Sequence, residues 1–137
     1  MKVVIIEDEA FAARRLENLI KEYNDEIEIA AWLESVSDAV EWFNSHKEPD
    51  LLFLDIHLED NLSFAIFDKV TVSCPIVFTT ATDELAVKAF MTKGIDFLHK
   101  PIVQAELNAM LNKYSVPDPR LKKVINAGFF DDLMNRK

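Results

Sequence analysis

The chain has 137 residues, half of them apolar, which is enough for one domain with its own hydrophobic core. Its formal net charge is −9, and so acidic a body repels phosphate backbones, which disfavours direct nucleic-acid binding. It has no apolar run near the roughly 20 residues of a membrane span, no signal-peptide pattern, and one cysteine, Cys74, which cannot form an internal disulfide. We therefore expect a cytoplasmic protein that does not bind membranes.

Taken in chain order, five short apolar runs have the length and composition of strands. They cover residues 3–6, 27–33, 51–55, 76–80 and 96–99. The third run has no polar residue before its final Asp55, which is typical of a strand buried on both faces. Pro75 opens the fourth run, at a position where no ladder donor is needed.

Apolar residues at helical spacing between and after these runs predict five helices. Ser35 is placed to cap the second helix, and Gly94 to end the fourth. The inward-facing residues of the five helices, in order, are Ala12, Leu16, Leu19, Ile20 and Tyr23; Val36, Ala39, Val40 and Phe43; Ile66, Phe67 and Val70; Leu85, Ala86, Ala89 and Phe90; and Leu107, Met110, Leu111 and Tyr114.

Strands that alternate with helices predict right-handed crossovers and a parallel sheet covered on both faces. The fold class is therefore α/β, a flavodoxin-like (βα)5 doubly wound sheet with strand order 2-1-3-4-5. We assign residues 1–114 to this domain. Residues 115–137 are interpreted as a linker and a basic, partly apolar tail toward a missing C-terminal domain, since Pro117-Asp118-Pro119 is a stiff, turn-like sequence.

Polar residues end four of the five predicted strands, and the parallel topology brings them to one edge of the sheet. They are Glu7 and Asp8, Asp55, Thr80, and Lys100. Three converging carboxylates cannot all stay ionised without a compensating cation. Mg²⁺ prefers a few carboxylate oxygens with a backbone carbonyl and water, so the predicted ligands are Asp8, Asp55 and the carbonyl of His57, with Glu7 acting directly or through water.

With a metal bound, Asp55 is placed to attack a phosphoryl group and form an aspartyl phosphate. The phosphoryl oxygens then need positive charge and hydrogen-bond donors, which Mg²⁺, the Lys100 ammonium and the Thr80 hydroxyl would supply. Each residue also has an ordinary explanation, such as an Asp55 that only caps a turn. Five such residues at one sheet edge favour a phospho-acceptor site.

The ordered set Glu7-Asp8, Asp55, Thr80-Ala81 and Lys100-Pro101 resembles the receiver domain of two-component response regulators, over residues 2 to about 114. Stretches such as Phe-Thr-Thr-Ala-Thr and Ile-Asp-Phe-Leu-His-Lys-Pro-Ile are most similar to receivers attached to LytTR-type DNA-binding domains. The resemblance implies phosphotransfer from a sensor histidine kinase to Asp55, a cis peptide before Pro101, and slow self-dephosphorylation rather than enzymatic turnover. It also implies DNA binding only through an effector domain outside this chain.

The resemblance further implies a conformational switch. Thr80 would move toward the phosphoryl group while Phe97, at the position of the family's switch aromatic, turns inward. The face made by the fourth helix, fifth strand and fifth helix would then change and alter a homodimer contact. Asp60-Asn61 departs from the Asp-Gly common in this subfamily, but Asn tolerates left-handed backbone, so the turn is expected to survive.

Three other functions compete with that of a phospho-acceptor. A receiver-like module that binds partners without phosphorylation would not need the full set of pocket residues. A hydrolase of the aspartyl-phosphate type would usually need an acid just after the nucleophile, where this chain offers only His57. A nucleotide-binding protein of this fold would need a glycine-rich phosphate cradle, and the chain has only two glycines, Gly94 and Gly128.

Overall fold

The computed structural model describes residues 1–81 and 96–116, in which five parallel strands form one sheet. The strands are β1 (Lys2–Ile6), β2 (Glu28–Leu33), β3 (Leu51–Asp55), β4 (Ile76–Thr80) and β5 (Asp96–His99). Their order across the sheet is β2-β1-β3-β4-β5. The predicted fold class and strand order are confirmed, and each strand lies within one residue of its predicted bounds.

Three α-helices and one 3-10 helix accompany the sheet in the described part of the chain. They are α1 (Ala10–Tyr23), α2 (Val36–Ser45), the 3-10 helix (Ser63–Asp68) and α3 (Gln104–Ser115), which is the predicted fifth helix. None of these helices is long and apolar enough to cross a membrane. The predicted fourth helix with Gly94, and the tail from residue 117, lie outside the described residues.

The third predicted helix is wrong in kind, because the structure has a single 3-10 segment there. The segment is followed by Val70-Thr71-Val72, and β-branched side chains lose rotamer freedom in a helix. Short 3-10 segments are common connectors. Two of the predicted inward residues, Ile66 and Phe67, are nevertheless buried.

The two faces of the sheet carry separate hydrophobic clusters, which explains why β1 and β3 are apolar throughout. The first cluster includes Val4, Ile6, Leu52, Leu54 and Phe78 from the strands, with Val36, Ala39, Ile66 and Phe67 from α2 and the 3-10 helix. The second cluster includes Val3, Ile5, Leu51, Phe53 and Val77, with Ala13, Leu16, Ile20, Leu107 and Leu111 from α1 and α3. Burial of each large apolar side chain contributes about 1.5–3 kcal/mol.

The expected turn after β3 forms with asparagine at position 61, but without left-handed backbone there. No described non-glycine residue has a positive φ. The Asn61 carbonyl accepts the N–H of Leu58 at 3.0 Å, and its side-chain Oδ1 accepts the N–H of Leu62 at 2.8 Å. The neighbouring Asp60 accepts the N–H of Val36 at 3.0 Å, which fixes the turn to the start of α2. A backbone hydrogen bond therefore closes the turn, and side-chain hydrogen bonds hold it in place.

Candidate functional site

Three carboxylates converge at the carboxyl-terminal edge of the sheet. Glu7 and Asp8 follow directly after β1, and Asp55 is the last residue of β3. One oxygen from each residue lies within 4.8 Å of the others. Glu7 and Asp55 are only 4% and 6% exposed, whereas Asp8 is half-buried. The structure thus brings together the three acids that the sequence predicts at one edge of the sheet.

Lys100 joins two of these carboxylates. Its Nζ donates to Oδ2 of Asp55 at 3.0 Å and also to Oε1 of Glu7. Its backbone N–H donates to the carbonyl of Thr80 at 2.7 Å, so the pairing between β4 and β5 extends to the base of the lysine. The peptide bond from Lys100 to Pro101 is cis, as the family resemblance implied.

The acid and base character of the site follows from burial and from these contacts. Burial raises the pKa of the Glu7 carboxyl to about 7; the hydrogen bond from Lys100 lowers this pKa and the neighbouring Asp55 raises it. Burial lowers the pKa of Lys100, but its hydrogen bonds to Glu7 and Asp55 outweigh burial and leave the pKa above its usual value. Lys100 is therefore a fixed positive charge at neutral pH, and it compensates only part of the negative charge.

Backbone donors orient the remaining carboxylate oxygens. Oδ1 of Asp55 accepts the N–H of His57 at 3.2 Å, and Oε2 of Glu7 accepts the N–H of Glu9 at 3.2 Å. The His57 backbone, whose carbonyl was predicted as a metal ligand, is therefore adjacent to Asp55, while the residue as a whole is exposed. Both buried acids are held in defined orientations before any ligand binds.

The two predicted switch residues lie on β4 and β5. Thr80 ends β4 and is fully buried, one position beyond Thr79, which pairs with Asp55 in the sheet register. Phe97 of β5 is half-buried and packs against the first cluster. Its ring lies 5.3 Å from that of His99 in an edge-to-face contact. Thr80 therefore lies at the same sheet edge as Asp55.

Two side chains that sequence reasoning did not single out also contact the backbone of the site. The indole N–H of Trp32 donates to the Glu7 carbonyl at 2.7 Å. The guanidinium of Arg15 donates to the carbonyl of Ile102 at 3.0 Å and so ties α1 to the loop after Lys100. Both residues look like ordinary surface positions in the sequence, one on an edge strand and one on an exposed helix face. No spacing signal identifies them.

An apolar cavity of about 350 Å³ adjoins the carboxylates. Glu7 and Lys100 contribute to its lining together with the apolar residues Leu16, Phe53 and Ile102. Phe11 also lines it and is 83% exposed. A large exposed aromatic side chain beside a charged site is typical of a surface that contacts a partner.

Comparison with known proteins gives a consistent family match. The model for the response regulator receiver domain matches residues 3–112. The chain is 38% identical over 117 residues to the sensory transduction protein LytT of Bacillus subtilis, covering 83% of this chain and 48% of LytT. It is 34% identical over 116 residues to the transcriptional regulatory protein YpdB of Escherichia coli, covering 82% of this chain and 47% of YpdB. The chain thus spans about half the length of these relatives.

Solved structures give the same picture of the fold. The response regulatory domain of mrkE from Klebsiella pneumoniae superposes with a TM-score of 0.69 and 31% identity, covering 84% of this chain and 95% of that domain. A two-component response regulator from Clostridium difficile superposes with a TM-score of 0.69 and 28% identity, at the same coverages. Both likenesses extend over nearly the whole of the compared domains.

Proposed function

Because this chain belongs to the response regulator receiver family, we propose that it is a phospho-acceptor in which Asp55 receives a phosphoryl group from a sensor histidine kinase with the help of Mg²⁺. The observation that carries this proposal is the buried carboxylate cluster joined by Lys100. The family is not one of turnover enzymes. The domain would catalyse only its own phosphorylation and its slow dephosphorylation.

The donor set of the site fits Mg²⁺, which prefers carboxylate and carbonyl oxygens. Asp8, Asp55 and the His57 carbonyl would bind the ion, with Glu7 acting directly or through water. When bound, the ion supplies the positive charge that lets three close carboxylates ionise together and that neutralises incoming phosphoryl oxygens. Burial and the neighbouring Asp55 raise the pKa of Glu7, although Lys100 lowers it, so a cation at this site would favour the ionised carboxyl.

In the transfer step an Asp55 carboxylate oxygen forms a bond to phosphorus, and the bond from phosphorus to the donor imidazole nitrogen breaks. Lys100, which contacts Asp55 in the unphosphorylated chain, would move its ammonium onto a phosphoryl oxygen. The Thr80 hydroxyl would donate to a second oxygen. Each of these groups would stabilise charge on the transferred group without forming a covalent bond to it.

The donor histidine must approach Asp55 from the open edge of the sheet. Phe11 is a large exposed apolar side chain beside that edge, and it lines the same cavity as Glu7 and Lys100. We therefore place the kinase contact around Phe11. The acidic charge of the domain would favour a basic partner surface there.

Phosphorylation would be read out through Thr80 and Phe97. As Thr80 turns toward the phosphoryl group, the half-buried Phe97 would turn inward, and the face that includes β5 and α3 would change its homodimer contact. Phe97 lacks the hydroxyl of a tyrosine, so packing alone would hold its inward state. The rest of this face, the predicted fourth helix, lies outside the described residues.

The readout would control transcription through an effector domain. The relatives are about twice as long as the matched region, and one of them is a transcriptional regulatory protein. We propose that residues 115–137 lead to a LytTR-type DNA-binding domain, and that the protein works in the cytoplasm. Residues 1–114 contain 10 Lys/Arg and 21 Asp/Glu, and this formal net charge of −11 disfavours DNA binding by these residues themselves.

Intact-mass measurement after addition of Mg²⁺ and acetyl phosphate tests the proposal. We expect one phosphoryl adduct on the unaltered chain, and no adduct in the presence of EDTA or on Asp55→Asn. Absence of an adduct on the unaltered chain, both with acetyl phosphate and with an active kinase, would favour the phosphorylation-independent binding module instead.

A further inference from the structure

We propose that Trp32 is a positioning residue for the metal-binding carboxylates, acting through the backbone of Glu7; this inference rests on the proposed function. Trp32 lies on the edge strand β2 and is 41% exposed. Despite this exposure, its indole N–H is directed at one acceptor, the Glu7 carbonyl, at 2.7 Å. That distance is at the short end of the normal range for an N–H to oxygen hydrogen bond.

The hydrogen bond from Trp32 to the Glu7 carbonyl takes the place of a hydrogen bond between β1 and β2, because the pairing of these two strands ends at Glu7. Pairing between β1 and β2 continues past the end of β1, since the N–H of Glu7 donates to the Leu33 carbonyl at 2.9 Å. A continued parallel ladder would next offer the N–H of Ser35 to the Glu7 carbonyl. Ser35 instead caps α2, where its Oγ accepts the N–H of Asp38 at 3.0 Å. The indole N–H therefore supplies the donor to Glu7 at the point where the edge strand ends.

The position of this hydrogen bond connects Trp32 to the metal ligands. The Glu7 carbonyl and the Asp8 N–H belong to one rigid peptide plane, so fixing the carbonyl fixes the direction in which the chain leaves Glu7 toward Asp8. Ligands that are ordered before binding lose less conformational entropy when the ion binds. Hydrogen-bond partners of ligand residues are known to influence metal affinity for this reason.

The second tryptophan provides a matched control. Trp42 lies on α2, is half-buried, packs against the first cluster, and stacks on His46 with ring centroids 4.6 Å apart. Replacement of either tryptophan by phenylalanine removes an indole, but only Trp32 contacts the carbonyl of a predicted metal ligand. A general effect of losing an indole would appear in both variants.

The experiment compares Mg²⁺ affinities from backbone amide shifts in NMR titrations of the unaltered chain, Trp32→Phe and Trp42→Phe. We expect Trp32→Phe to bind Mg²⁺ about three- to tenfold more weakly, which is less than the roughly 10- to 100-fold typical of such partners because the indole is partly solvated. Trp42→Phe should match the unaltered chain. With acetyl phosphate, Trp32→Phe should need correspondingly more Mg²⁺ for its half-maximal rate, while its rate at saturating Mg²⁺ is unchanged.

A spectroscopic measurement separates positioning from a stability effect. The chain has two tryptophans, so Trp42→Phe leaves Trp32 as its sole indole, and we expect that indole N–H resonance to shift when Mg²⁺ is added. Equal Mg²⁺ affinity of Trp32→Phe and the unaltered chain would overturn the inference, as would an equal loss in Trp42→Phe. Failure of the unaltered chain to bind Mg²⁺ would contradict the proposed function itself, and the inference with it.

Discussion

Two adjacent interior strands of the sheet, β1 and β3, bury apolar residues along their length and acidic residues at their carboxyl ends. Their apolar residues, such as Ile5 and Phe53, are 1% exposed, and the acids that follow or end them, Glu7 and Asp55, are buried almost as deeply. Burial of apolar side chains stabilises the fold, whereas burial of carboxylates costs free energy unless they are paired. The apolar part of these strands therefore stabilises the fold, whereas their carboxyl-terminal edge costs stability and carries the proposed phosphorylation site.

The largest effect is expected from the core. Phe53→Ala removes a buried aromatic ring from β3 and should lower the free energy of unfolding by about 3–5 kcal/mol. Urea denaturation measures this change. Because Phe53 belongs to the core and not to the carboxylate cluster, any molecules that remain folded should still accept a phosphoryl group. A loss of less than about 1 kcal/mol would contradict the assignment of Phe53 to the core.

At the carboxyl-terminal edge of the sheet, Lys100→Met should mainly lower the rate of phosphorylation. Loss of the ammonium removes the charge that would stabilise the transferred phosphoryl group, so the phosphorylation rate with acetyl phosphate should fall about 100-fold. Mg²⁺ should still bind, because Lys100 is not a ligand. Lys113→Met is the control, since Lys113 pairs with Asp96 at 2.8 Å on the surface. A Lys100→Met variant phosphorylated at the normal rate would refute the assigned role.

The cost of the buried edge should also appear as a pH dependence in the metal-free chain. The pKa of Glu7 is raised by burial from 4.5 to about 7, so the protonated carboxyl stabilises the folded state below the unfolded pKa. This contribution is lost as the pH rises from 4.5 through 7. In EDTA, the unaltered chain should therefore lose stability over this interval relative to Glu7→Gln. Parallel pH profiles in chemical denaturation would show that burial does not raise this pKa.

The smallest effect is expected at Ser63, a buried polar residue outside the carboxylate site. It shows what burial of a polar group costs where no site is present. Its hydroxyl has no hydrogen-bond partner within residues 1–81 and 96–116. Ser63→Ala should leave the free energy of unfolding unchanged or raise it by up to about 1 kcal/mol. Ser35→Ala, which removes the cap of α2, should lower it by about 1 kcal/mol. Thermal unfolding should show a loss of stability in Ser35→Ala only, and a destabilised Ser63→Ala would reveal a missed partner.

The fold and the carboxylate cluster could be predicted because they follow from the apolar runs and the strand–helix alternation, which do not depend on individual side-chain contacts. Continuous apolar runs indicate buried strands, and the parallel topology brings the carboxyl ends of these strands to one edge of the sheet. The sequence alone therefore predicts that Glu7, Asp8 and Asp55 lie together. Leu16 and Ile20 of α1 were likewise predicted as core residues, although the buried alanine is Ala13 rather than Ala12.

The features that could not be predicted depend either on a choice between two local backbone conformations or on contacts between residues far apart in the chain. Ile66 and Phe67 have helical spacing, yet they lie in a 3-10 segment before a β-branched run. Asn61 tolerates left-handed backbone, yet its turn forms without it and is closed by the hydrogen bond from the Leu58 N–H to the Asn61 carbonyl. The contacts of Lys100 with Glu7 and of Trp32 with the Glu7 carbonyl join residues far apart in the chain, and no spacing encodes them.

The central claim is that the edge acid Asp55, rather than another exposed or buried carboxylate, accepts the phosphoryl group. Borohydride reduction of the chain after treatment with Mg²⁺ and acetyl phosphate, followed by peptide mass spectrometry, tests it most directly, because an aspartyl phosphate is reduced to homoserine. We expect homoserine at residue 55 and unaltered Glu7 and Asp8, with no conversion when EDTA is present. Homoserine at residue 8 instead, or conversion that does not require Mg²⁺, would contradict the account.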